Sequence, residues 1–342
     1  MSNMKDYLTT VSLVLCLTLA APTLAGTILD GVRERDSVRC GARVNIAGFS
    51  YLDDAGNRVG FDIDFCRAVA AAVLGDGAKV EFTTLDAADR ISALRENRVD
   101  MLAALTTWTF SRDTDGIDFA GTNFYDGQGF LTSRSSGLRT ILAAPAGTKV
   151  CVSKSSTSAN NLADYTAKHK LKLEIIELDQ DTVEARASLE SGACQVLTSD
   201  RVQLAATREE MEDKGNFFLL PDVISKEPLG LAVPEGDQQW SDIVRWVLFA
   251  TIEAEEREIT SSNLDSRRES SDPTVQFMLG AKPGVGAALG LDDAWVSRVI
   301  GRVGNYGEIF DRHLGENGPY KMPRGINDLW SRGGLMYSPP MR

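Results

Sequence analysis

The 342-residue sequence predicts an α/β protein with two lobes, each a mainly parallel sheet flanked by helices. The chain is longer than the roughly 250 to 300 residues at which single hydrophobic cores tend to divide. Strand-like and helix-like segments alternate along it at lengths typical of βαβ units. The same alternation starts again near residue 148, so each half is expected to carry its own sheet.

The first half begins with a predicted strand at residues 37–41, followed by an Ala-rich helix. This helix occupies residues 60–74, has one apolar face and is capped by Gly75. Three shorter elements complete the unit. They are a strand at residues 79–84, a helix at residues 91–95 and a buried strand at residues 99–103.

The second half repeats this order of strands and helices. The predicted elements are a strand at 148–152, a helix at 158–169, a strand at 173–177, a helix at 182–191 and a strand at 194–198. Residues 129–134 and 226–233 connect the halves and are short and strand-like, so we expect two crossover hinge strands. A long amphipathic helix at 237–257 follows, and the looser C-terminal segment is expected to wrap the first lobe.

These patterns divide the chain into a targeting segment and two lobes. The targeting segment is residues 1–25. The first lobe comprises residues 26–132 and 229–342, which include the C-terminal extension, and the second lobe comprises residues 133–228.

The N-terminal segment predicts export through a cleavable signal peptide. Lys5 precedes an apolar stretch at residues 8–21, and small residues lead to a cleavage site after Ala25. The alternative is an N-terminal membrane anchor. That alternative is disfavoured because about 14 apolar residues are fewer than the ~20 that span a bilayer.

The charge balance argues against a nucleic-acid-binding protein. The chain has 36 Lys and Arg against 48 Asp and Glu, a formal net charge of -12. Neutralising phosphates requires clustered basic residues, and the longest such cluster is the pair Arg267 and Arg268. Acidity alone does not identify a small ligand.

Four cysteines remain after the signal peptide is removed. In an oxidising compartment they predict two disulfides, with three possible connectivities. Pairing Cys40 with Cys66 and Cys151 with Cys194 would keep each bridge within one lobe, while four buried free thiols are the alternative. No CxxC pair is present, which excludes the usual zinc site.

The sequence offers no catalytic, metal-binding or cofactor-binding motif, so no such residue is predicted. Its two histidines, His169 and His313, lie in no recognisable frame with a Ser or Cys nucleophile. We expect His169 at a solvated helix end and His313 on the surface.

Polar residues at the end of the strand near residue 103 predict a carboxylate site in the first lobe. The guanidinium of Arg112 can bind a carboxylate through two parallel hydrogen bonds, and Thr107 offers both an N–H group and a hydroxyl. The alternative for Arg112 is a surface ion pair with Asp113 or Asp115.

Two features of the second lobe could complete a binding site. Ser156 and Thr157 lie where a strand leads into a helix N-terminus, which favours anions, although simple N-capping is the alternative. Asp200 ends another strand and could neutralise an ammonium group, or it could cap the helix that begins near Val202. Together with Arg112, these residues predict a site for the zwitterionic head of an α-amino acid.

Several segments resemble those of the periplasmic amino-acid-binding proteins of ABC importers, solute-binding protein family 3. They resemble in particular the general L-amino-acid-binding subfamily. The segments are GFDID at 60–64, the five-residue spacing from Thr107 to Arg112, SST at 155–157, SD at 199–200, KEPLG at 226–230, DFAGTNFYDGQG at 118–129, GNYGEIF at 304–310, RGINDLW at 324–330 and GGLMYSPP at 333–340.

The resemblance implies a type II periplasmic binding protein, a monomer in the periplasm that delivers L-amino acids to ABC permease subunits in the inner membrane. It implies that Arg112 and the backbone amides of Thr107 and Thr157 hold the ligand carboxylate. It also implies that Asp200, the Thr107 hydroxyl and the Leu105 carbonyl hold the ammonium group.

One departure from the family concerns the ligand side chain. Many relatives place an aromatic residue just before the helix equivalent to residues 91–95, where this chain has residues 86–90 without one. Phe49 or Arg90 could line that end of the site instead. The polar residues on both sides of the site favour polar amino acids or broad specificity.

The alternative functions are a dehydratase acting on prephenate-like or arogenate-like acids, and an amino-acid-sensing module.

Overall fold

The computed structural model describes residues 28–43, 45–179 and 183–342. The predicted signal peptide therefore lies outside the described residues. The helices are α1 (Ile28–Arg35), α2 (Phe61–Leu74), α3 (Arg90–Arg95), α4 (Phe110–Asp113), α5 (Thr157–His169), α6 (Val183–Glu190), α7 (Arg201–Glu209), α8 (Gln238–Glu256), α9 (Leu264–Arg268), α10 (Pro273–Met278), α11 (Trp295–Arg302) and α12 (Tyr306–His313). The strands are β1 (Val38–Ala42), β2 (Tyr51–Leu52), β3 (Arg58–Val59), β4 (Val80–Thr84), β5 (Met101–Thr107), β6 (Ile117–Asp126), β7 (Gln128–Ser133), β8 (Lys149–Ser153), β9 (Glu174–Leu178), β10 (Val196–Asp200), β11 (Phe217–Leu219) and β12 (Glu227–Pro234).

The first lobe is built on a five-stranded sheet with the order β4-β1-β5-β12-β6. β1 pairs in parallel with β4 and β5, whereas β12 runs antiparallel to β5 and β6. Four of its five strands therefore point the same way. The apolar faces of α2 and α8 pack over the sheet in the largest core cluster, and Gly75 ends α2 in the left-handed conformation that glycine tolerates.

The second lobe has a five-stranded sheet with the order β11-β7-β10-β8-β9. β8 pairs in parallel with β9 and β10, and β7 runs antiparallel to β10 and β11. Again four strands point the same way and one is reversed. The predicted class, two lobes with mainly parallel sheets flanked by helices, is confirmed.

Two crossovers connect the sheets, as expected for the hinge. The chain leaves the first sheet after Asp126, passes through Gly127 and enters β7 of the second sheet. It returns between β11 and β12. β7, which the predicted boundary at residue 132 assigned to the first lobe, pairs with the second sheet, and the division into residue ranges stays a prediction.

Both disulfides join the predicted partners. Cys40 of β1 is bonded to Cys66 of α2, and Cys151 of β8 is bonded to Cys194 just before β10. Each bridge links a strand to a segment of the same lobe. The pairing that keeps the bridges within lobes is therefore the one found, and the free-thiol alternative is wrong.

The C-terminal segment packs on the first lobe. Arg298 of α11 donates to Ala72 O at 2.9 Å, and Arg312 of α12 donates to Asp64 Oδ2 at 2.6 Å. The expectation of a surface position for His313 is wrong. This side chain is 5% exposed and its Nε2 lies 2.7 Å from Asp64 Oδ2, because α12 turns that face onto α2.

The same segment also reaches the first crossover. The Asn327 side chain accepts from Tyr125 N at 2.7 Å and donates to Tyr125 O at 2.9 Å, two residues before Gly127. A cavity of about 480 Å³ lies beside this contact and is lined by residues of the crossover, of α7 and of the C-terminal segment.

His169 is exposed at the end of α5, as expected. Within the described ranges no helix is long and apolar enough to cross a membrane.

Candidate ligand-binding site

The end of a strand in the first lobe meets the start of a helix in the second lobe. Thr107 is the last residue of β5 in the first sheet, and Thr157 is the first residue of α5 in the second lobe. Their hydroxyl oxygens lie 3.4 Å apart. The lobes are therefore in contact where the sequence predicts the ligand head group.

Arg112 is positioned by the short helix α4. Thr109 caps this helix by accepting from Arg112 N at 3.3 Å, and Arg112 Nη1 donates to Thr107 O at 2.9 Å. Asp115, one of its alternative partners, pairs instead with Arg95. Burial lowers the pKa of Arg112, whereas the carboxylates of Glu227 and Asp200 favour its charged form. The guanidinium therefore lies in an acidic part of the site.

Ser156 and Thr157 start helix α5. Ser156 Oγ accepts from Ala159 N at 3.1 Å and donates to Ser153 O at 2.5 Å, so Ser156 is the N-cap of this helix. This is the capping role that the sequence left open as an alternative. A ligand contact of Ser156 or Thr157 stays a prediction.

Asp200 ends β10 and is 7% exposed. Its side chain forms no capping hydrogen bond to α7, and the carboxylate of Asp126 accepts from Val202 N at 3.0 Å instead. Burial raises the pKa of Asp200 well above its usual value, and the negative charges of Asp126 and Glu227 add to this. The positive charges of Arg90 and Arg43 oppose this shift, and an ammonium ligand beside Asp200 would favour the charged form further.

Sequence reasoning missed two carboxylates beside Asp200. Glu227, the first residue of β12, is 1% exposed and accepts from Thr107 Oγ1 at 2.6 Å and from Asn161 Nδ2 at 2.8 Å. Asp126 ends β6, and burial raises its pKa to about 7 although nearby backbone N–H groups favour its charged form. In the sequence, the signal that could have identified Glu227 is an acidic residue at the start of an otherwise apolar hinge strand.

Arg90 is 4% exposed and lies against the end of β5. Its Nη1 donates to Ala104 O at 2.8 Å and to Leu105 O at 3.0 Å, while its Nε has no hydrogen-bond partner among the described residues. Burial lowers the pKa of Arg90, and the positive charges of Arg112 and Arg43 lower it further. The Leu105 carbonyl, predicted to hold the ligand ammonium, is thus already an acceptor for Arg90.

Arg43 is a further buried cation that the sequence analysis did not identify. Burial lowers its pKa to about 10, while the carboxylates of Asp200, Asp86 and Asp62 favour its charged form. Asp62 accepts from Leu105 N at 3.0 Å, and burial raises its pKa to about 6. Buried arginines and carboxylates therefore surround the end of β5.

Phe49, the other candidate for the side-chain end of the site, packs within the first lobe. It is 1% exposed, and its ring meets Phe61 edge-on at 5.6 Å and Phe124 at 5.3 Å between centroids. Of the two candidates, only Arg90 has a hydrogen bond to a predicted head-group residue among those described. Which of them contacts a ligand stays a prediction.

Residues 38–261 match the family described as bacterial extracellular solute-binding proteins, family 3. The chain belongs to this family.

Relatives of this family 3 protein match over nearly its whole length. It is 40% identical over 329 residues to the general L-amino acid-binding periplasmic protein AapJ of Rhizobium johnstonii, covering 95% of this chain and 96% of the relative. It is 39% identical over 326 residues to the glutamate/glutamine/aspartate/asparagine-binding protein BztA of Rhodobacter capsulatus, with the same shares covered.

A solved structure agrees with these relatives. A periplasmic binding protein of an ABC transporter from Brucella ovis, with glutathione bound, is 41% identical and superposes with a TM-score of 0.89. The match covers 93% of this chain and all of the Brucella chain. The similarity therefore includes the C-terminal segment as well as the lobes.

Proposed function

We propose that this family 3 protein captures L-amino acids between its lobes and delivers them to an ABC permease, without catalysing a reaction. The observation that carries the proposal is the meeting of Arg112 and Thr107 of one lobe with Asp200 and Thr157 of the other. A guanidinium and a carboxylate in one buried site match the two charges of an α-amino acid. A ligand that contacts both lobes favours the closed form.

In this proposal, Arg112 and the amides of Thr107 and Thr157 hold the ligand carboxylate. Asp200, the Thr107 hydroxyl and the Leu105 carbonyl hold the ammonium group. Ser156 supports the site by capping α5. Burial with satisfied partners is compatible with micromolar or tighter binding, about -8 kcal/mol.

The ligand side chain is expected to be polar. Arg90 and Arg43 are buried cations within electrostatic reach of Asp200, so a carboxylate or amide side chain would find donors there. This agrees with the names of two relatives, one binding L-amino acids in general and one binding acidic and amide amino acids. The glutathione bound to the Brucella relative also carries carboxylates.

The family is extracellular, which supports export of the mature chain to the periplasm. We further propose that a signal peptide at residues 1–25 is cleaved and that the mature chain acts as a monomer. This monomer docks onto permease subunits of the inner membrane.

A thermal-shift panel tests the function directly. The mature chain, residues 26–342, is heated with each of the twenty L-amino acids, the matching D-amino acids and glutathione. A ligand at 100 times its Kd stabilises the folded state by about 2.7 kcal/mol, which raises the Tm by several degrees. We expect a subset of polar L-amino acids to do so and to be recovered unchanged. If no compound raises the Tm, or if a ligand is converted, the proposal is wrong.

A further inference from the structure

The buried carboxylate of Glu227 has a fixed set of hydrogen-bond donors. Its Oε2 accepts from Thr107 Oγ1 at 2.6 Å, and its Oε1 accepts from Asn161 Nδ2 at 2.8 Å and from Ser225 Oγ. Taking a charge out of water is costly unless donors surround it. Loss of any of these donors would therefore weaken the arrangement that holds the carboxylate.

The donors come from different parts of the fold. Thr107 ends β5 of the first sheet, whereas Asn161 lies on α5, which follows β8 of the second sheet. Glu227 itself begins β12, immediately after the second crossover. In the antiparallel register of β12 and β6 it lies opposite Asp126, the last residue of β6. The carboxylate thus joins the lobes at the base of the site. If the lobes separate, Asn161 moves away from Glu227 with α5.

The bond to Thr107 also fixes the direction of a hydroxyl group. A threonine hydroxyl has one proton to donate and lone pairs with which to accept. Because Thr107 donates its proton to Glu227, its oxygen can only accept from another group. An ammonium group carries donors and no acceptor, so this orientation suits the ammonium end of an amino acid.

We propose that Glu227 is a positioning residue that latches the lobes through Asn161 and turns the Thr107 hydroxyl into an acceptor for the ligand ammonium. This inference rests on the proposed function. It assigns to one residue of the hinge strand both the orientation of a ligand-binding group and part of the energy of closure.

Exchanging the donor and acceptor of the latch provides the test. Glu227→Gln removes the negative charge and turns one acceptor into a donor, so the charge-assisted hydrogen bonds from Asn161, Ser225 and Thr107 are weakened or lost. In the double variant Glu227→Gln with Asn161→Asp, the new amide donates to the new carboxylate on α5, while its oxygen still accepts from Thr107. The double variant therefore keeps the geometry and the net charge. Asn161→Ala removes only the cross-lobe bond, and Asn160→Ala, an exposed neighbour on α5, is the control.

Affinity is measured by titration calorimetry with the amino acid that raises the Tm most, and closure by small-angle X-ray scattering with and without it. We expect about a tenfold rise in Kd and a smaller closed fraction for Glu227→Gln and for Asn161→Ala. The double variant should return to within about threefold of the wild type. Asn160→Ala should match the wild type.

Each result decides a different claim. If the wild type binds but Glu227→Gln binds equally well, or if the double variant is no better than its weaker parent, the latch is wrong and the proposed function stands. If Glu227→Gln does not fold, Asn161→Ala with unchanged affinity and closure overturns the latch. If the wild type binds no amino acid, the proposed function fails and the latch fails with it.

Discussion

The hydroxyl oxygens of Thr107 and Thr157 lie 3.4 Å apart, although Thr107 ends a strand of the first sheet and Thr157 begins a helix of the second lobe. This contact means that the lobes meet at the predicted head-group site. Amides, hydroxyls and charged groups from both lobes are therefore available to one small ligand. A ligand with opposite charges at its two ends would join the lobes more strongly than one with a single charge.

Stability of the ligand-free protein should depend on Asp126 near neutral pH. The pKa of Asp126 is about 7 in the folded protein, above the value of about 4 in an unfolded chain. Between these values the folded state keeps a proton that the unfolded state loses. This contribution to stability is complete below about pH 4 and disappears as the pH rises through 7.

The Tm between pH 5 and 7.5 tests this prediction. Asp126→Asn keeps the acceptor for Val202 N and removes the titration, so its Tm should depend less steeply on pH than that of the wild type. The control is Asp54→Asn at an exposed position. An identical slope in Asp126→Asn and the wild type would contradict the prediction.

Arg90 should determine which side chains are bound. Arg90→Gln removes a buried cation close to the head-group residues, so affinity for ligands with carboxylate or amide side chains should fall by roughly tenfold or more. Ligands with apolar side chains should be affected less. Titration calorimetry with both classes measures the ratio, and Arg98→Gln is an exposed control. An equal loss for all ligands would show that Arg90 only supports the fold.

Asn327 should stabilise the hinge from the C-terminal segment. Its side chain makes two hydrogen bonds to the backbone of Tyr125, and its backbone oxygen accepts a hydrogen bond from Arg324 Nη2 at 2.9 Å. Asn327→Ala leaves the backbone N–H and carbonyl of Tyr125 without these partners. It should therefore lower the free energy of unfolding by about 1–3 kcal/mol. Denaturant unfolding measures this, with the exposed Asn317→Ala as control. A loss of unfolding free energy no larger than that of the control would exclude a stabilising role of Asn327 at the hinge.

The sequence predicted the elements whose signals are local. α2 was recognised from its apolar face and Gly75, and β8, α5 and β10 from the restarted alternation, because these patterns reflect short-range geometry. α12 and the burial of His313 were not predicted. The burial depends on a contact with Asp64, which lies 249 residues away in the sequence.

The site shows the same distinction. Thr107, Arg112 and Asp200 could be selected because they follow strands and have suitable chemistry. Glu227 could not, because its importance comes from Thr107 and Asn161, which lie 120 and 66 residues away. Arg90 and Phe49 looked equivalent in sequence, and only packing separates a ring within the aromatic cluster from a guanidinium at the end of β5.

The most direct test of the account combines variants of the two charged anchors with altered ligands. Titration calorimetry compares the best amino acid with its α-amide, which lacks the carboxylate, and with its 2-oxo acid, which lacks the ammonium group. Arg112→Ala and Asp200→Ala should each weaken binding of the amino acid by about 100-fold or more. Arg112→Ala should have little further effect on the α-amide, and Asp200→Ala little further effect on the 2-oxo acid. The account predicts that each variant loses affinity for the amino acid and spares one analogue. Affinity like that of the wild type in either variant would contradict a site that holds an amino acid between Arg112 and Asp200. A variant that weakens binding of the α-amide and of the 2-oxo acid equally would contradict it as well.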